Sequence, residues 1–145
     1  MKMTNETRRK IVTLANRLTP RMDGDRSAAF CKAWEIVKRG SIEIAVNGVT
    51  FENRQEALRR LARYEPAQIK TVLIPEPNNP ADSNAIAVMV GVQNGRGLYR
   101  LGYVPRSITA IVNAMDARQP ALRVVSDSNS VYSKRIFGAR VALAV

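Results

Sequence analysis

An α+β, mainly β fold is predicted for this chain of 145 residues. It comprises an α-helical hairpin over residues 1–40, then a small six-stranded barrel with one or two helices over residues 41–145. Three observations predict it. Apolar residues before Gly40 recur at helical spacing, and after Gly40 they alternate with a period of two. The alternating runs are also short and separated by tight-turn signals, as in a small closed or nearly closed barrel. The length suits one domain with a small appendage and is enough to bury a core.

The helices come first. Residues 6–18, ETRRKIVTLANRL, place Ile11, Leu14, Ala15 and Leu18 on one face. TPRMDGD (19–25) reads as a turn, broken by Pro20 and Gly24. A second amphipathic helix, RSAAFCKAWEIVKR (26–39), carries Ala29, Phe30, Ala33, Trp34 and Val37 on its inner stripe. Asp25 can cap it, Lys38 and Arg39 suit its C-terminal dipole, and Gly40 ends it. Cys31, between Phe30 and Trp34, reads as core, as does Trp34 itself. The pair holds ten Lys/Arg against four Asp/Glu. Its seven-residue connection contains a proline, which argues against a standard helix-turn-helix reader.

The period then changes. SIEIAVNGVTF alternates Ile42, Ile44 and Val46 with polar or small residues, bends at Asn47-Gly48 and resumes as a strand. NRQEALRRLARY is a helix, with Asn53 and Glu56 spaced as a capping box and Ala57, Leu58 and Leu61 inward. Arg59, Arg60 and Arg63 share its outer side, either as a solvated face or as phosphate partners. IKTVLI (69–74), AIAVMVGV (85–92) and LYRLGYV (98–104) are strands, the last two joined by the QNGRG turn. Pro105 opens a helix whose apolar face is Ile108, Ile111, Val112 and Met115. ALRVVSD and FGARVALAV supply two further strands around a polar loop, SNSVYSK.

Composition narrows the chemistry. There is one cysteine and no histidine, which excludes an internal disulfide, a Cys/His zinc site and histidine-dependent nucleophile pairs. No Gly-rich phosphate loop is present, no cofactor is implied, and the 12 acidic residues form no obvious catalytic pair. Glu76 and Asp82 are the one close acidic pair in the connection between the strands at 69–74 and 85–92, as a metal-dependent hydrolase would require. The balance points to a non-enzyme. No apolar run approaches the roughly 20 residues of a membrane span, and no signal peptide is read. The net charge is +11. Such a surface attracts polyanions, nucleic acid first, with an anionic membrane or an acidic protein behind it.

The most information-rich stretch is EPNNPADSNAIAV, residues 76–88. Pro77 and Pro80 fix φ at two positions and push their predecessors towards extended conformations. Asp82 and Asn84 can each close an Asx turn on the backbone. This makes a rigid loop, either for its own sake or to hold a preorganised ligand surface.

That stretch, followed by LGYVPRSI, resembles the HIRAN domain. The matching positions are Glu76, Pro77, Asn79, Pro80, Asp82, Asn84, Ala85, Ile86 and Val88, then Gly102, Tyr103, Val104, Pro105 and Arg106. VNGVTFENRQEALRRL also resembles the first strand and following segment of bacterial members, so the likeness runs from about Ile42 to the C-terminus. It implies an OB/SH3-like barrel of the kind found standalone in bacteria and phages, binding single-stranded DNA or its 3′ ends.

By the same resemblance Asp82 would accept a hydrogen bond from the end nucleotide, with Asn79 and Asn84 beside it in the loop. Tyr103 and Arg106 would stand near base and phosphate, and Phe51 would stack on a base. Arg54, Arg59, Arg60 and Arg63 are further candidate phosphate partners. The chain departs from the 3′-end binders in two places. Ala81 replaces a frequent Tyr, and Thr50, Phe51 and Glu52 replace an Arg-Tyr-Tyr-like set. A generic single-strand or branched-DNA binder is the broader expectation. The implied setting is cytoplasmic or nucleoid-associated, in DNA repair, replication or mobile elements. The rival is a targeting module that recruits a helicase or nuclease.

Overall fold

The computed structural model describes residues 2–50, 52–115, 118–127 and 136–144. Phe51 and the whole SNSVYSK loop lie outside them. Helix α1 (Asn5–Leu18) starts at Thr4, whose hydroxyl accepts the N–H of Thr7. Its buried residues are Ile11, Leu14, Ala15 and Leu18, the face that periodicity predicts. A 3-10 turn (Thr19–Met22) follows, and Asp23 takes a left-handed conformation. Helix α2 (Arg26–Arg39) is capped by Asp25, which accepts the N–H of Ala28, and it ends at left-handed Gly40.

The two helices pack on each other, but α2 sits rotated from the predicted stripe. Ala29, Ala33 and Ile36 are buried, Phe30 and Val37 are partly so, and Trp34 is 45% exposed. Cys31 is exposed too. Both were expected in the core. The small Ala29 and Ala33 form the contact line instead, which turns the neighbouring Trp34 outward.

Strand β1 (Ser41–Ala45) follows Gly40 directly. The strand predicted to resume after Asn47-Gly48 does not form. Gly48 turns with φ +80°, Val49 and Thr50 continue the turn, and α3 (Glu52–Leu61) begins. Asn53 is therefore inside the helix and is not its cap. Leu58 and Leu61 are buried as expected. Gln55 on α3 acts as a strand substitute. Its amide donates to the carbonyls of Val49 (2.7 Å) and Phe137 (2.8 Å), while its oxygen accepts the N–H of Phe137 (2.9 Å).

The remaining elements are β2 (Ile69–Pro75), β3 (Ile86–Val92), β4 (Tyr99–Tyr103), α4 (Thr109–Ala114), β5 (Arg118–Asp127) and β6 (Ile136–Ala144). The six strands form two antiparallel three-stranded sheets, ordered β1-β6-β5 and β2-β3-β4. Among the described residues they do not close into one barrel. The sheets meet at a bridge where Asn47 and Tyr103 exchange two backbone hydrogen bonds, of 2.8 and 3.0 Å. Elsewhere β2 lies beside β5 without a ladder.

One side of each sheet faces a shared core. The row Ile44–Val141–Leu122 runs across the first sheet, and Ile86, Val88 and Val90 line the second. The buried residues of α1 and α2 belong to the same cluster, so the core is continuous across Gly40. Arg17 adds a link from α1, donating to the carbonyl of Ala114 at the end of α4 (3.4 Å).

Candidate nucleic-acid interface

The rigid stretch is the connection between β2 and β3. Its base is closed by the Glu76 N–H donating to Ala85 O (2.8 Å), and Ala85 returns its own N–H to Asp82 O (3.1 Å). Asn79 organises the tip. Its side-chain oxygen accepts the N–H groups of Ala81 (2.9 Å) and Asp82 (3.3 Å), and its amide donates to Glu76 Oε2 (3.0 Å). Asp82 closes the expected Asx turn by accepting the Asn84 N–H (2.9 Å). Asn84 is exposed and contributes its backbone here. Turn residues thus satisfy most of the loop's polar groups internally, which is what fixes its shape.

A second segment is brought against this loop. Val104 N–H donates to Ile86 O (3.0 Å), anchoring the start of the Pro105 turn beside the first residue of β3. The Tyr103 hydroxyl donates to Glu76 Oε2 (3.2 Å), and Arg100 Nη2 lies 2.7 Å from Glu76 Oε1. The Arg100 guanidinium also sits 5.8 Å from the Tyr103 ring centroid, within cation–π range. On the other side of the loop Arg106 Nε is 3.9 Å from Asp82 Oδ2. Arg106 is 84% exposed while the Asp82 side chain is 20% exposed, so this pair is loose and open to exchange with another anion.

Glu76 is the hub of the arrangement. The hydrogen bond from Asn79 holds its carboxyl below the ordinary carboxylate range. Partial desolvation opposes this, and the Tyr103 hydroxyl and the Arg100 charge add to the lowering. The site presents an ionised, fully engaged Glu76 and a second carboxylate, Asp82, with acceptor capacity to spare.

Of the residues predicted from sequence, Asn79, Asp82, Asn84, Tyr103 and Arg106 are brought together. Arg54 lies at the adjoining turn, donating to the carbonyl of Gly48 (2.6 Å) one residue beyond the Asn47 bridge. Arg59, Arg60 and Arg63 form a separate exposed group on and after α3, with Arg60 paired to Glu56 (3.2 Å). Phe51 lies outside the described residues. Glu76 and Arg100 were not among the predicted site residues. A β-bulge in β4 explains why Arg100 escapes a period-two reading. Tyr103 faces Ala87 and Arg100 faces Met89, so the extra residue puts these two, three apart in sequence, on one side of the sheet. Among the described residues no group of three or more His, Cys, Asp or Glu side chains is placed to hold a metal ion.

No curated protein matches the chain, and no solved structure does. The HIRAN domain family model matches residues 40–135, well over half of the sequence. That span includes the loop, its Glu76 hub and the Tyr103–Arg106 segment. The HIRAN domain is a nucleic-acid-binding module, a binding domain and not a catalytic one. From the matched span and the loop it contains, the chain belongs to the HIRAN domain family.

Proposed function

We propose that the chain binds single-stranded DNA or DNA ends at the loop, with Asp82 as acceptor for the terminal nucleotide and Arg106 as its phosphate partner. The observation that carries this reading is the loose Asp82–Arg106 pair beside a loop most of whose backbone polar groups are tied down. A strand end supplies both a hydroxyl for the carboxylate and a phosphate for the guanidinium. Tyr103, and Phe51 by resemblance, offer stacking surfaces worth about 1–3 kcal/mol per base. Asn79 and Asn84 act by shaping the loop, while Arg54, Arg59, Arg60 and Arg63 extend the positive field. Residues 1–40 serve as a basic accessory element, in a cytoplasmic or nucleoid-associated setting that handles DNA ends during repair, replication or element transfer.

Fluorescence anisotropy with single-stranded oligonucleotides bearing a free or a phosphate-blocked 3′ end tests the reading. The free end should bind more tightly, and Asp82→Ala should lose about tenfold or more of that affinity, as removal of a charge-assisted hydrogen bond does. Equal binding of both ends, unchanged in Asp82→Ala, would reduce the site to a generic single-strand surface. No binding at low salt would refute it.

A second reading is favoured by one observation. Trp34, Cys31 and Val12 are exposed on the helical pair, where a targeting module would carry a contact for a helicase or nuclease partner. Trp34→Ala should then weaken partner capture and leave oligonucleotide affinity unchanged.

A further inference from the structure

An antiparallel sheet with one solvated face is ordinarily apolar inside and polar outside. The β2-β3-β4 sheet departs from this. Its inner side carries Thr71, Leu73, Ile86, Val88 and Val90, as expected. Its outer side, by the same register, carries Lys70, Val72 and Ile74 of β2, Ala87 and Met89 of β3, and Arg100 and Tyr103 of β4. Ile74 is 40% exposed, Val72 and Met89 are half-buried, and none of the three joins the hydrophobic core. Ile74, Val72 and Met89 are thus presented outward, with Ala87 buried beside Ile74, and are flanked by an aromatic ring and two cations.

We propose that this outer face is a track for single-stranded nucleic acid continuing from the loop. Bases would lie over Val72, Ile74 and Met89 beside the Tyr103 ring, and phosphates would reach Arg100 and Lys70. The inference rests on the nucleic-acid reading above and extends it from an end pocket to a polynucleotide surface. Charge decides the occupant. Lys70 and Arg100 stand on the face, Arg106 stands at its loop end, and the neighbouring carboxylate, Glu76, is already engaged by Asn79, Tyr103 and Arg100. A second copy of the chain, itself at +11, would meet this face with like charge. A strand of bases supplies flat apolar surfaces and phosphates together. Glu76 positions Arg100 near the Tyr103 ring and competes with phosphate for its charge.

Anisotropy of the full chain with oligothymidines tests this. Affinity should rise as the oligomer grows from about three to about eight nucleotides, within the usual site size of small barrels. Lys70→Ala and Arg100→Ala should each reduce the log–log salt slope by about 0.7, the loss of one phosphate contact on a single strand. Ile74→Asp should weaken binding about tenfold at low salt. Glu76→Gln, which frees Arg100 from its carboxylate partner, should steepen the salt slope by up to about 0.7. Urea midpoints of all four variants check that each is folded.

If the wild type binds and these variants match it in affinity and slope, the track is refuted while the end-binding reading stands. A wild type that binds no oligonucleotide overturns both. Weakening in Glu76→Gln equal to that in Arg100→Ala would show that Arg100 acts only by holding the loop, against the phosphate role. Dimerisation lost in Ile74→Asp, with oligonucleotide binding intact, would assign the face to a second copy and overturn the proposal.

Discussion

Replacing Gly102 with alanine would drive a methyl group into the carbonyl oxygen of Asn47 and to 2.7 Å from Val46 Cγ1. Neither neighbour can step aside cheaply. Asn47 exchanges two hydrogen bonds with Tyr103, and the N–H of Val46 is held by Ala139 O at 2.9 Å. Relief requires β4 to move away from Asn47, which stretches or breaks both bridge bonds. Two backbone hydrogen bonds at about 1 kcal/mol each, with overpacking of about 1–3 kcal/mol, give a loss of roughly 3–5 kcal/mol. For a chain of this size that lowers Tm by roughly 10–15 °C. Urea and thermal unfolding followed by far-ultraviolet circular dichroism measure it. An unchanged denaturant slope with a lowered midpoint is expected. A midpoint equal to that of the wild type would refute the close approach and, with it, the account of how the two sheets join.

Further outcomes follow from the loop. Glu76 has its folded pKa lowered, so its contribution to stability is present above the unfolded carboxylate pKa and is lost as pH falls through the folded value. Glu76→Gln should therefore flatten the acid limb of stability against pH, and parallel limbs in the two proteins would contradict the assignment. Asn79→Ala removes the acceptor for two loop N–H groups and a donor to Glu76. It should cost about 1–2 kcal/mol, speed amide exchange at Ala81 and Asp82, and weaken oligonucleotide binding. Exchange unchanged at those two amides would count against Asn79 as the organiser of the loop.

Much of this was legible in the sequence, for reasons that can be located. The faces of α1 and α3, the Asp25 cap, the Gly40 stop and the strands flanking the loop follow from periodicity and turn chemistry, which act over a few residues. The failures all involve partners distant in sequence. Trp34 lies at the border of an apolar stripe, and which border turns outward depends on the helix packed against it. The strand expected after Gly48 is lost because β1 pairs with β6 while Asn47 is taken by Tyr103. Arg100 was invisible because a bulge resets alternation, and nothing local in LYRLGYV marks it. For the site, resemblance found the loop and its Asp82. The carboxylate that organises it, Glu76, reads from sequence as a member of the motif and of an acidic pair with Asp82, not as the hub of the loop.

The position of β6 has a consequence for how this molecule can be divided. Residues 136–144 form the middle strand of the β1-β6-β5 sheet, pairing on both edges, yet they fall beyond the matched segment, which ends at 135. The helical pair likewise precedes that segment and shares its core. A fragment cut at 40 and 135 would leave β1 and β5 as unpaired edges and strip cover from Ile44 and Leu122. The segment matched to the family and the segment that shares one core are different objects here, and the second is the larger.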